Sequence, residues 1–163
     1  MAKTAPKREE LERKATKIVT TNRRAFHDFS IVETIEVGIV LTGTEIKSVR
    51  EGKVTISEAY ARIDDNELWL IGAHISPYSH GTSANHDPGR PRKLLAHRSQ
   101  IREMREMLEQ RGMTLVPLRL LLKQGKAKVD IGVARGKKLY DKRAVAAERE
   151  QNRDIERALR DRE

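Results

Sequence analysis

Two apolar runs, TLVPLRLLLK at 114–123 and KAKVDIGVA at 126–134, meet at Gln124-Gly125. A two-residue link ending in Gly between strand-forming runs points to an antiparallel hairpin. A second pair, ISEAYARI at 56–63 and ELWLIGAHI at 67–75, flanks Asp64-Asp65-Asn66, a cluster that favours a tight turn. Tyr60, Trp69 and Ile71 are its expected packing residues. Upstream, HDFSIVETIEVGIVL at 27–41 is rich in β-branched and aromatic residues with rough alternation. It reads as one long strand or a bent pair, with Gly38 marking a bulge or bend. Pro117 lacks a donor N–H, so its strand is expected at an edge or bulged. About six such strands in roughly 110 residues cannot hide both faces as a flat sheet, which favours closure. The expected fold is mainly β: a closed antiparallel β-barrel of OB type, with two to three short helices.

The helices have their own punctuation. In TGTEIKSVREG at 42–52, Thr42 and Glu45 fit a capping box, Ile46 and Val49 share a face, and Gly52 can stop the helix. In SQIREMREMLEQRG at 99–112, Ser99 can cap, Ile101, Met104 and Leu108 share a face, and Gly112 ends the helix. Between lies SPYSHGTSANHDPGRPR, 76–92, with three prolines and two glycines. It predicts a long exposed loop.

The charge is placed unevenly. Residues 1–24 hold 8 Lys/Arg against 3 Asp/Glu, 25–134 hold 15 against 14, and 135–163 hold 10 against 7. A balanced middle with basic ends divides the chain into a flexible extension at 1–16, a folded domain at 17–135 and a basic tail at 136–163. Such ends suit a polyanionic partner. There is no cysteine, hence no disulfide or thiolate site. No apolar run reaches the ~18 residues of a membrane span. The expectation is a cytoplasmic protein that does not enter the membrane.

Parts for chemistry are scarce. His80, His86 and Asp87 form the one histidine cluster, without the spacing that fixes a metal. No metal or other cofactor is expected. The serines lack a nucleophile-elbow context. Gly136-Lys137-Lys138 lacks the upstream glycine of a phosphate-binding loop. The chain is therefore expected not to be an enzyme. Of its six aromatics, Phe26, Phe29, Tyr60, Trp69, Tyr78 and Tyr140, four sit in apolar strand patterns and are expected in the core. That disfavours base stacking on an aromatic platform and favours reading a folded RNA by shape and phosphates. Three basic clusters are available: Asn22-Arg23-Arg24, Arg90-Pro91-Arg92-Lys93, and Arg135-Gly136-Lys137-Lys138. They either converge at the rim of a barrel or remain separate patches.

NRRAFHDFSIVETIEVGIVLTGTEIKSVREG, RPRKLL and IGVARGKKLYDKR together resemble small protein B, the SsrA-binding family of bacterial trans-translation. The resemblance runs from about residue 17 onward. It implies an OB-type barrel that binds the tRNA-like domain of transfer-messenger RNA (tmRNA). The family supports the charging of that RNA with alanine and helps deliver it, with elongation factor Tu, to stalled ribosomes. An indirect association with alanyl-tRNA synthetase follows. The resemblance places Asn22, Glu36 and Leu95 on the RNA face, with Lys93 and Gly136-Lys137-Lys138 nearby. From pattern alone Leu95 reads equally as core. Asp141-Lys142-Arg143 matches the family's motif for the decoding region, and Tyr140 stands where some members have His.

On a helix, Lys142, Arg149, Arg153, Arg157 and Arg160 fall on one side, while Val145, Ile155 and Leu159 are dispersed. Ion pairs such as Asp154–Arg157 and Glu156–Arg160 add only ~0.2–0.5 kcal/mol each. The tail is thus expected to be disordered when free and to fold on RNA; the resemblance implies the receptor, the vacated mRNA channel of the small ribosomal subunit, with Tyr140–Arg143 at the decoding site. A monomer is expected. Three other readings compete: a general tRNA or ribosome binder, a metal-assisted hydrolase centred on 80–87, and a helical-tail adaptor for a protein partner.

Overall fold

The computed structural model describes residues 15–81, 85–137 and 139–160, with the side chains of 139–142 and 145 outside the description. Among the described residues nine strands are present: β1 Thr16–Thr21, β2 Phe29–Ile39, β3 Val54–Thr55, β4 Tyr60–Asp64, β5 Glu67–Ile71, β6 His74–Ile75, β7 Arg92–Leu95, β8 Met113–Lys123 and β9 Lys126–Gly136. Four helices accompany them: α1 Arg23–Asp28, α2 Gly43–Arg50, α3 Arg98–Leu108 and α4 Leu139–Arg160. Among the described residues no helix is long and apolar enough to cross a membrane.

Both hairpins form as the sequence predicts. Gln124 and Gly125 have φ of 51° and 78°, and Asp65 and Asn66 have 47° and 60°. Two successive left-handed residues give a turn whose twist suits the strands it joins. Every pairing is antiparallel, and the order β8-β4-β5-β7-β2-β9 returns to β8, closing a ring of six strands. β1 lies outside the ring on β8, and β3 pairs with β6 in a separate two-stranded sheet.

Pro117 is accommodated by a bulge: it faces Ile131, Arg119 faces Asp130, and Leu118 is the additional residue. The bulge lets β8 serve two cores. Leu115, Leu120 and Leu122 join the main one inside the ring. Val116 and Leu118 join a second, under α1, with Ala25 and Ala134. A Cβ on Gly132 would meet Leu118 Cδ1 at 2.9 Å, so the glycine lets the Leu118 side chain pack directly on the β9 backbone.

Several expectations change. The strand predicted from His27 starts at Phe29, because 23–28 is helical. Its irregularity falls at Val32, between Ile31 and Glu33, and Gly38 is regularly paired. Asn85 and His86 are bonded within the 76–92 loop, and both ring nitrogens of His86 are engaged, by Thr44 Oγ1 and Ile75 O at 2.9 Å each. His97, and not Ser99, is the N-cap of α3, with the Gln100 carboxamide accepting from its N–H. The Thr42–Glu45 capping box and the left-handed Gly52 (φ 76°) are present around α2.

The largest change concerns the aromatics. No described aromatic residue is buried, and the main core is aliphatic apart from Met104. In ELWLI, Leu68 and Leu70 point inward, while Trp69 and Ile71 are half-buried on the outer side. Tyr60 is exposed and its neighbour Ala61 is buried. A narrow ring has room for aliphatic side chains and leaves the bulky rings outside.

Candidate nucleic-acid interface

A groove of about 1160 Å³ lies between α3 and the outer faces of β2, β7 and β9. Strand pairing builds its floor. Gly38 faces Leu95 across β2–β7, and Lys128 across β2–β9. Alternation sends Val37, Ile39 and Leu94 into the core and turns Glu36, Lys93 and Leu95 outward. Leu95 is 53% exposed, so a pattern-based placement in the core is wrong. A Cβ on Gly38 would lie 3.2 Å from Leu95 Cβ, so glycine lets the two strands meet with Leu95 standing outward. Glu36, Lys93 and Leu95 thus line one groove.

Lys93 Nζ holds Glu67 at 3.0 Å, and Lys123 Nζ holds Glu36 at 3.3 Å. Glu36 also faces Asp130 across β2–β9. Burial, with Glu36 opposite, raises the Asp130 pKa above its ordinary value against the pull of Arg119 and Lys123. Arg98, Arg102 and Arg105 of α3 form the opposite wall, and all three are exposed. The sequence reading missed them. Their i, i+4, i+7 spacing was visible, but it was overshadowed by the apolar face of the same helix.

A second basic locus forms at the far end of β9. Lys137 N–H donates to Asp28 O at 2.9 Å, and Lys137 Nζ reaches Phe26 O at 3.3 Å, which brings the Arg135–Lys137 segment against α1. Arg23 and Arg24 are exposed on α1, with Arg24 paired to Asp28 and Glu58. Two of the three predicted clusters therefore converge. Arg135 is exposed in β9, and Lys138 lies outside the described residues. From Lys128 to Arg135 the strand advances seven residues, ~23 Å, so the two loci are distinct. Arg119, stacked 5.8 Å from the Phe26 ring, stands between them with Asp130, Lys123 and Glu36.

Two expected RNA contacts need correction. Asn22 is 3% exposed. Its Oδ1 caps α1 by accepting from Ala25 N–H at 3.0 Å, and its Nδ2 donates to Pro117 O at 2.9 Å and Ile56 O at 3.3 Å. Arg92 is fully buried. It pairs with the Glu45 carboxylate and donates to Ala73 O at 2.9 Å and Pro88 O at 3.0 Å. Neither side chain faces an RNA in this arrangement. Asn22 aims the arginines of α1, and Arg92 locks the start of β7 to α2 and the 76–92 loop. Burial pushes the Glu45 carboxyl upward, but bonds from Arg90, Arg92 and the Thr42 N–H outweigh it and hold the pKa below its ordinary value.

In the tail, the described residues of α4 are exposed, including Arg143, Arg149, Arg153, Arg157 and Arg160. Arg157 Nη1 lies 4.0 Å from Asp154 Oδ1, the expected pair. The side chains of Tyr140, Asp141 and Lys142 are outside the described set.

The family model of the SmpB protein matches residues 19–161, which takes in the ring, the groove and α4 together. The chain belongs to the SmpB family. Among SmpB relatives, the SsrA-binding protein of Roseiflexus sp. (strain RS-1) is 56% identical over 147 residues, covering 90% of this chain and 93% of that protein. The SsrA-binding protein of Desulfitobacterium hafniense (strain DSM 10664 / DCB-2) is 51% identical over 145 residues, covering 89% and 93%. A solved chain described as "tmRNA-SmpB: a journey to the center of the bacterial ribosome" superimposes with a TM-score of 0.63 at 50% identity. That match spans 75% of this SmpB-family chain and 85% of the other.

Proposed function

We propose that this chain is the tmRNA-binding protein of trans-translation, acting by binding and not by catalysis. Its six-stranded ring is read as an OB-type closed barrel. The groove at Glu36, Lys93 and Leu95, together with the basic locus at Arg23, Arg24, Arg135, Lys137 and Lys138, holds the tRNA-like domain. The observation that carries this reading is Leu95: a large apolar side chain, half exposed beside Glu36 and Lys93, in a chain of this family. An exposed leucine in a charged groove gains from burial against a sugar or base.

The tail, led by Tyr140–Arg143, enters the empty mRNA channel of the small subunit near the decoding site. Its arginine row suits a phosphate-lined tunnel. A helix whose described residues bury nothing gains little from packing, so α4 is disordered in the free protein and ordered on the ribosome. Elongation factor Tu and alanyl-tRNA synthetase meet the complex through the RNA. The protein is a cytoplasmic monomer.

The test is a competition: labelled tRNA-like domain bound to the protein, challenged with unlabelled tmRNA or unlabelled tRNA. Displacement by tmRNA at far lower concentration supports the assignment. Equal displacement supports a general tRNA binder instead.

A further inference from the structure

We propose that α3 is the phosphate-gripping wall of the groove, with Arg98, Arg102 and Arg105 closing on the backbone of an RNA strand whose sugar or base lies over Leu95. This rests on the RNA-binding reading above and adds residues to it. Arg98, Arg102 and Arg105 of α3 line the groove, whereas Glu103 and Glu106 of the same helix do not. Spaced four and three residues apart, the arginines lie on one side and span ~10 Å along the axis, enough for successive phosphates.

The charge on this wall is also available. Lys93 is already neutralised by Glu67, and Arg105 donates to Asn66 Oδ1 at 2.6 Å, a neutral partner that aims it without cancelling its charge. Arg98 and Arg102 have no ion pair or hydrogen bond among the described residues. The wall is firm, because the adjoining face of α3 buries Ile101 and Met104 in the main core. Opposite it, the floor at Gly38 has no side chain and Leu95 offers an apolar surface. Cations facing an apolar shelf match a strand that presents phosphates on one edge and a sugar or base on the other.

The experiment compares the full-length protein with Arg98→Gln/Arg102→Gln and, as a single-charge control outside the groove, Arg111→Gln. Binding to the isolated tRNA-like domain of tmRNA is titrated across salt concentrations, and circular dichroism melting checks the fold. The double variant is expected to bind about 10-fold more weakly near physiological salt, and its log K against log salt slope is expected to flatten by about 1–2. Arg102→Lys should restore most of the slope, and Arg111→Gln should leave it unchanged. An unaltered affinity and slope in the double variant, with the parent still binding, overturns the α3 wall alone. Equal losses in the double variant and in Arg111→Gln also overturn it, since net charge then explains the effect. A parent protein that does not bind this RNA overturns both the wall and the function it rests on.

Discussion

Glu45 is the residue on which most of one side of the protein converges. It closes the capping box of α2 through Thr42 and takes both Arg90 and Arg92 on its carboxylate. Replacing it with Gln leaves the buried Arg92 guanidinium without a counter-charge. A loss of about 3–5 kcal/mol is expected in urea unfolding. The pH dependence has a definite sign. The folded pKa lies below the ordinary 4.5, so the carboxylate stabilises the fold above that value, and the contribution is lost as pH falls through the folded pKa. The melting temperature of the parent should therefore fall more steeply below pH 4.5 than that of Glu45→Gln. Asp130 has the opposite sign. Its raised pKa means that ionisation opposes folding, with Glu36 directly across the strand pair. Asp130→Asn should gain about 0.5 kcal/mol at pH 7, and the gain should vanish in acid where the parent carboxyl is protonated. Thermal melts at several pH values check both.

At the level of elements, α1 is six residues long and carries the arginines of the second locus. No periodicity is readable over so short a span, and what nucleates the helix is remote. The Asn22 amide reaches Ile56 O and Pro117 O, partners 34 and 95 positions away. Asn22→Ala should cost about 1–3 kcal/mol, since it removes the cap and leaves two carbonyls unpaired. It should also weaken RNA binding by misdirecting Arg23 and Arg24. Asn22→Asp keeps the capping acceptor and should recover part of the loss, as binding titration with melting controls will show. The contrast with β8 and β9 explains what was legible. Gln124-Gly125 writes its left-handed turn into two adjacent residues, and the hairpin follows locally. Thr42 and Glu45 likewise announce α2. Trp69 and Tyr60 were misplaced because alternation defines two faces of a strand without saying which is inside. That choice is made by the curvature of the ring, which strand partners far along the chain determine. Arg92 was misread for a similar reason: its partner Glu45 is 47 positions away.

For the molecule as a whole, the proposed function assigns two binding tasks, one to the ring and one to the basic tail. Strand β9 continues to Gly136 and Lys137 is bonded to α1, so the folded part extends slightly past the boundary read from the sequence. A chain ending at Lys137 should retain affinity for the tRNA-like domain within about 3-fold and lose peptide tagging on stalled ribosomes. Tagging assays on ribosomes halted at truncated messages check this. Binding of the full chain to the tRNA-like domain should fall log-linearly with salt, with a slope that counts its phosphate contacts. The Lys137-terminated chain should show nearly the same slope.

Ring closure also fixes an order of events during synthesis. Strand β9 supplies partners to β2 and β8 at once, and it is the last strand made. A nascent chain that stops short of it leaves both neighbours with unpaired backbone edges, open to pairing with other chains. Termination before β9 is complete would therefore release an aggregation-prone sheet.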